Sequence, residues 1–245
     1  MAMKNRWYWT FKHILFGPAL RVWNRPWSEG IENLPQEGPA IVASSHQAVM
    51  DSFYFPLMCP RQMKFIAKAE YFNTPGFIGR LQKWFFTSVG QVPIDRSART
   101  AAEGMMNSAR EILEAGEVFG IYPEGTRSPD GRIYRGRTGM ARVAMDTGVD
   151  VYPVAMFNSR KANPIGTWIP RPVRVGTRMG EAINPHEWAQ ENDLDPTSQE
   201  AIRGFTDYFM HKLAELAEQP YVDVYASNVK ESLKKGNGYP KGAEK

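Results

Sequence analysis

Short apolar runs alternate with segments of helical periodicity through the middle of the chain. Residues 40–43, 64–69, 91–94, 117–122 and 149–157 are apolar stretches of strand length bounded by turn residues. Between them, 53–60, 74–87, 99–115 and 139–147 have the spacing of helices. The clearest is 99–115, with Ala102, Met105, Ala109, Ile112 and Leu113 on one stripe and Gly116 as its stop. In 74–87, Thr74 is placed to cap and Pro75 to take the first helical position. This alternation predicts a single α/β domain whose mixed, largely parallel sheet is flanked by helices. Beyond residue 158 the pattern thins. An edge strand is expected over 173–179, and a helix over 198–218 with Ile202, Phe205, Phe209, Leu213 and Leu216 on its buried stripe. Residues 234–245 are Gly- and Lys-rich and read as mobile.

The first 27 residues are different in kind. Trp7, Tyr8, Trp9, Phe11, Phe16, Trp23 and Trp27 interleave with Lys4, Arg6, Lys12, Arg21 and Arg25. Aromatic rings favour the water–lipid boundary and basic side chains favour anionic headgroups, so this amphipathic aromatic/basic segment is expected to lie on a membrane surface. A helix packing its rings on the domain has the same spacing. No apolar run reaches the ~20 residues needed to cross a bilayer, and no signal peptide is recognised. The net charge of +4 over 245 residues suits anionic partners without choosing among them. No nucleic-acid module is present, and nucleic acid is not expected as a partner. Cys59 is the only cysteine, which excludes an intrachain disulfide. The four histidines show no metal-ligand spacing, so no metal is expected.

Two polar turns carry the candidate chemistry. Ser44 to Asp51 follows the first apolar run and holds His46 and Asp51. A neutral imidazole whose second nitrogen is held by a carboxylate can take a proton from a hydroxyl. Five positions apart on a regular helix the two side chains would diverge, so contact requires a turn with Asp51 near a helix start. No Ser or Cys nucleophile lies at the usual distance in sequence, which points to attack by the substrate's own hydroxyl. Alone, the spacing is a weak signal, and a polar turn in which His46 merely caps a strand fits it better. The second turn, Tyr122-Pro123-Glu124-Gly125-Thr126-Arg127-Ser128, ends another apolar run. Gly125 permits a positive φ, Arg127 offers a fork of donors for phosphate, and Glu124 is placed either to hold that arginine or to bind a hydroxyl. A structural turn with a surface ion pair is the alternative. Arg132, Arg135 and Arg137 follow on a loop suited either to phosphates or to solvent.

These two turns, in this order, resemble the glycerolipid acyltransferase family that includes the 1-acylglycerol-3-phosphate acyltransferases. Its first signature, H-x4-D, is normally preceded by Asn, and here Ser45 stands in that place. The other signatures resemble Gly90-Gln91-Val92-Pro93-Ile94-Asp95-Arg96, Pro123-Glu124-Gly125-Thr126-Arg127 and Val151-Tyr152-Pro153-Val154, and Phe65 to Glu70 is similar to the family's lysine-bearing strand. The resemblance implies an O-acyltransferase moving a fatty acyl group from acyl-CoA or acyl-carrier protein to lysophosphatidate, with no resident cofactor. It implies His46 as general base and Asp51 as its orienter. It implies Lys68, Arg96, Glu124, Gly125, Thr126 and Arg127 as substrate-binding residues. Glycerol-3-phosphate, another lysophospholipid or a glycolipid are alternative acceptors, and a non-catalytic lipid-binding protein is the reading from another class. The expected organisation is an N-terminal membrane-interface segment (1–29), an acyltransferase domain (30–225) and a polar C-terminal tail (226–245). The expected placement is peripheral, on the cytoplasmic face of a membrane.

Overall fold

The computed structural model describes residues 6–68, 70–94, 101–167 and 169–245. The strands, in chain order, are β1 (Trp27–Glu29), β2 (Ala40–Ser44), β3 (Met63–Lys68), β4 (Val92–Ile94), β5 (Val118–Ile121), β6 (Ile133–Tyr134), β7 (Val151–Phe157), β8 (Gly176–Met179) and β9 (Tyr221–Val222). Among the described residues seven of them form one sheet in the order β1-β8-β7-β2-β5-β3-β4, parallel throughout except where β7 meets β8. The expected α/β architecture with a mixed, mostly parallel sheet and an N-terminal helical segment is present. One detail differs: 173–179 was expected at an edge, but β8 is covered by β1, which pairs with it from Trp27 to Glu29.

Every residue of β2 is buried, which is why its apolar run is unbroken. Ile41, Ala43 and Phe119 face helices Ala101–Glu114, Gly139–Thr147 and Gln199–Ala217 on one side of the sheet. Ala40, Val42 and Val118 face Tyr54 and Phe55 of helix Asp51–Met58 on the other. Pro153, inside β7, is tolerated because the antiparallel ladder to β8 begins at Val154. Pro75 is the N-cap of helix Gly76–Ser88 and not its first helical residue.

The N-terminal segment is one helical run with a π turn at its centre: Arg6–Thr10, Phe11–Leu15 and Phe16–Asn24. Lys12 Nζ donates to Cys59 O and Tyr8 Oη to Pro56 O, so the run caps the carbonyl end of helix Asp51–Met58. Phe11 is buried against Trp84 and Phe85. On the outside Trp7, Trp9, Ile14, Leu15, Val22 and Trp23 remain exposed, as do Phe77 and Leu81 of helix Gly76–Ser88. That helix therefore turns much of its apolar surface to solvent.

The C-terminal segment, expected as a polar tail over 226–245 and as mobile over 234–245, is packed on the domain from Ala226 to Ala243. Residues Ala226–Lys234 form a helix, and Ala226, Val229 and Ala243 pack with Tyr134 and Val222 in a small core of their own. Arg132 locks it. Its guanidinium donates to Asp130 Oδ2 at 2.9 Å and to the carbonyls of Ala243 and Glu244 at 2.6 and 2.9 Å, between the rings of Tyr134 and Tyr239. Arg135 pairs with Asp223, and Arg137 donates to Ser227 Oγ. Few apolar residues suffice because the arginines supply the rest of the contact.

Candidate active site

Parallel neighbours end on the same side of a sheet, and α/β folds place their sites at the carboxyl ends of strands. β2 and β5 are such neighbours, so the turns after Ser44 and Ile121 meet. Ser128 N donates to His46 O at 2.7 Å, joining them directly. Ser45, in the place usually held by Asn, is buried, and its hydroxyl accepts from Met156 N at 3.0 Å, fixing the end of β2 against β7.

The predicted pair forms. His46 Nδ1 lies 3.0 Å from Asp51 Oδ2, with Asp51 fully buried and the imidazole 17% exposed. Asp51 opens its helix, and the same Oδ2 accepts from Gln47 N at 2.6 Å and Ala48 N at 2.8 Å. A carboxylate so placed keeps the imidazole proton on Nδ1, which leaves Nε2 as the acceptor. One face of the ring is stacked on Tyr122, with centroids 3.9 Å apart and planes 13° from parallel. Tyr122 stacks in turn on Phe65, and its hydroxyl is 2.8 Å from Ser52 Oγ. Burial pushes the Tyr122 phenol far up, so it stays protonated. Phe65 lies over Gly120, its register partner, where a Cβ would come within 2.6 Å of the ring. This column of rings fixes the plane of the His46 imidazole, and sequence spacing gave no sign of it.

Gly125 adopts φ +72°, the left-handed conformation its turn requires. Glu124 is 2% exposed; Oε1 accepts from Tyr134 N at 2.8 Å and Oε2 from His46 N at 3.5 Å. It braces β6 against the histidine turn. Burial pushes its carboxyl up to about 8, against the pull of those two N–H groups and of Lys230. Arg127 is half-buried and has no hydrogen-bond or ion-pair partner among the described residues. Thr126 Oγ1 accepts from Lys230 Nζ at 2.8 Å. Arg160 donates to Ser128 O at 3.1 Å and to Pro129 O at 2.5 Å. Sequence reasoning missed Lys230 and Arg160, because nothing near either one marks it. Lys68 is the last residue of β3, and its side chain is outside the described set. Arg96 lies outside the described residues. The arginines of the 132–137 loop are engaged by the C-terminal segment. Among the described residues no group of three or more His, Cys, Asp and Glu side chains is placed to hold a metal ion.

A family model described as Acyltransferase matches residues 26–157, which includes both turns. The chain belongs to the acyltransferase family. Among relatives, it is 36% identical over 140 residues to the chloroplastic 1-acyl-sn-glycerol-3-phosphate acyltransferase LPAT1 of Arabidopsis thaliana, covering 57% of this chain and 38% of that one. It is 28% identical over 156 residues to the 1-acyl-sn-glycerol-3-phosphate acyltransferase of Pseudomonas aeruginosa, covering 63% of this chain and 58% of the relative. The chain thus spans less than two thirds of the length of these relatives. The solved 1-acyl-sn-glycerophosphate (LPA) acyltransferase PlsC of Thermotoga maritima superposes with a TM-score of 0.65 at 26% identity, over 88% of this chain and 80% of that one. The family match stops at residue 157, so Arg160 and Lys230 both fall beyond it.

Proposed function

We propose that this chain is an O-acyltransferase that moves a fatty acyl group from a thioester, acyl-CoA or acyl-carrier protein, to the free hydroxyl of 1-acylglycerol-3-phosphate, giving phosphatidic acid. The observation that carries the reading is the His46–Asp51 pair, joined through Ser128 to a cationic turn. In this mechanism His46 Nε2 takes the acceptor's hydroxyl proton as the oxygen attacks the thioester carbonyl. Asp51 stabilises the imidazolium that forms. The tetrahedral oxyanion then collapses, the C–S bond breaks, and the imidazolium proton goes to the leaving sulfur. No covalent acyl-enzyme is formed. Arg127 receives the acceptor's phosphate, with Lys68 and Arg96 assigned to the same anion, and Gly125 and Thr126 shape the turn beneath it. Glu124 keeps that turn in register with His46.

The membrane is the proposed second partner. Trp9, Ile14, Leu15, Val22 and Trp23 are exposed on the N-terminal run, and basic residues flank them. Among the described residues no helix is long and apolar enough to cross a bilayer. These observations support surface attachment, with anionic lipids beneath Arg21 and Arg25. The proposed location is the cytoplasmic face.

The test is mass spectrometry of products from a mixture of lysophospholipids, glycerol-3-phosphate and glycolipids, supplied with acyl-CoAs and acyl-carrier-protein thioesters of several chain lengths. Phosphatidic acid as the dominant product supports the reading. A dominant product from another acceptor reassigns the substrate, and acyl transfer to none of them removes the enzyme assignment.

A further inference from the structure

We infer that Lys230, carried on the C-terminal helix, is a ligand of the acceptor's phosphate and with Arg127 and Arg160 makes a three-cation cradle beside His46. The inference rests on the function proposed above and extends it to a segment outside the family match.

The geometry is local and specific. Lys230 Nζ is 2.8 Å from Thr126 Oγ1, immediately before Arg127 in the chain. Arg160 grips the carbonyls of Ser128 and Pro129, immediately after it. Three cations therefore converge on the four residues 126–129, and the backbone of Ser128 touches His46. The carboxylate within electrostatic reach of Lys230 is Glu124, whose two oxygens already accept from backbone N–H groups. The cluster therefore holds positive charge without a dedicated counter-ion. Lys230 is itself destabilised as a cation there, first by burial and then by Arg127 and Arg160, so an arriving dianion relieves the repulsion. An ammonium has three donors, and Thr126 takes one, leaving two for phosphate oxygens.

The substrate's chemistry puts the phosphate in the same place. In a 1-acylglycerol-3-phosphate one carbon separates the reacting carbon from the phosphate ester oxygen. A base at His46 thus requires its phosphate cradle close by, and the 126–129 stretch is tied to the histidine turn by the Ser128 N–H on His46 O. Nor is Lys230 a loosely hung surface lysine. Its helix is held by Val229 and Ala226 against Tyr134 and by Arg137 through Ser227.

The test compares wild type, Lys230→Met and Lys230→Arg as full-length chains, varying lysophosphatidate at fixed acyl-CoA and then the reverse. Removing one charged hydrogen-bond donor should raise the acceptor KM about 10- to 100-fold. The donor KM and kcat should move by less than about threefold. Lys230→Arg should restore most of the acceptor affinity, and inorganic phosphate should inhibit Lys230→Met more weakly than wild type, competitively with the acceptor. A loss confined to the donor KM would reassign Lys230 to coenzyme A, and a loss confined to kcat would remove it from phosphate binding; either overturns the inference. If wild type acylates no lysophosphatidate, the proposed function fails by itself. The cradle is then judged by inorganic phosphate raising the melting temperature of wild type but not of Lys230→Met. Equal shifts in the two proteins refute it.

Discussion

Replacing Asp51 with asparagine isolates the charge in the His46–Asp51 pair. One oxygen does all the work. Oδ2 meets His46 Nδ1 at 3.0 Å, Gln47 N at 2.6 Å and Ala48 N at 2.8 Å, while Oδ1 has no partner among the described residues. Asparagine can keep its oxygen at the Oδ2 position and place its NH2 where Oδ1 stood. The turn then keeps its three hydrogen bonds, the imidazole keeps its tautomer, and only the negative charge is lost. With charge centres about 4 Å apart and an effective dielectric of about 20, that charge stabilises a developing imidazolium by roughly 4 kcal/mol. Such a difference is about a thousandfold in rate. Asp51→Asn should therefore lower kcat about 10³-fold with the acceptor KM within about threefold of wild type. The unpartnered NH2 should cost about 1–3 kcal/mol of stability, read as a small drop in melting temperature. Release of thiol from acyl-CoA, trapped by a chromogenic disulfide, measures the rate directly. A variant that keeps more than a tenth of wild-type kcat, or loses activity only through KM, would show that the carboxylate does not act on the imidazolium.

Other consequences follow from the packing around that pair. Glu124 is pushed up to about 8 in the folded chain from an ordinary value of 4.5, so between these limits the folded state holds the extra proton and its stability falls as pH rises. Glu124→Gln should flatten that decline between pH 4.5 and 8 in urea melts; an unchanged slope would show that Glu124 is already ionised near pH 5. Gly120→Ala places a Cβ 2.6 Å from the Phe65 ring. It should cost about 1–3 kcal/mol and, by tilting Tyr122 under His46, lower kcat at least tenfold; a destabilised variant with full kcat would mean the ring column does not orient the base. Trp9→Ser combined with Leu15→Ser should weaken partitioning onto anionic vesicles by tenfold or more in a flotation assay, and unchanged binding would move the membrane contact elsewhere.

What could be read from sequence follows from the range of the forces involved. Strands buried on both faces announce themselves as apolar runs, so 40–43, 117–122 and 149–157 were legible, and with them the turns they deliver. The His46–Asp51 contact was legible because the geometry of a helix start leaves few options over five residues. The Phe65–Tyr122–His46 column was not, because it depends on the register of β3 against β5, which no local pattern states. Likewise β6 and β9 are two residues each, too short for a periodic signal, and among the described residues they pair only with one another. The 226–245 segment read as polar because its order comes from arginine contacts to carbonyls and rings and not from apolar burial. Lys230 was hidden for the same reason.

The His46–Asp51 pair and its supports sit at very different distances along the chain. His46 and Asp51 are 5 positions apart, but Glu124 reaches His46 across 78, Met156 reaches Ser45 across 111, and Lys230 reaches Thr126 across 104. Loop closure makes contacts of the long kind late and slow, whereas the short one can form as soon as its helix does. A chain leaving the ribosome therefore carries the His46–Asp51 pair long before Glu124, Met156 and Lys230 reach it. Turnover should switch on only when the last helix docks, so recovered activity during refolding is a clock for the final step of assembly.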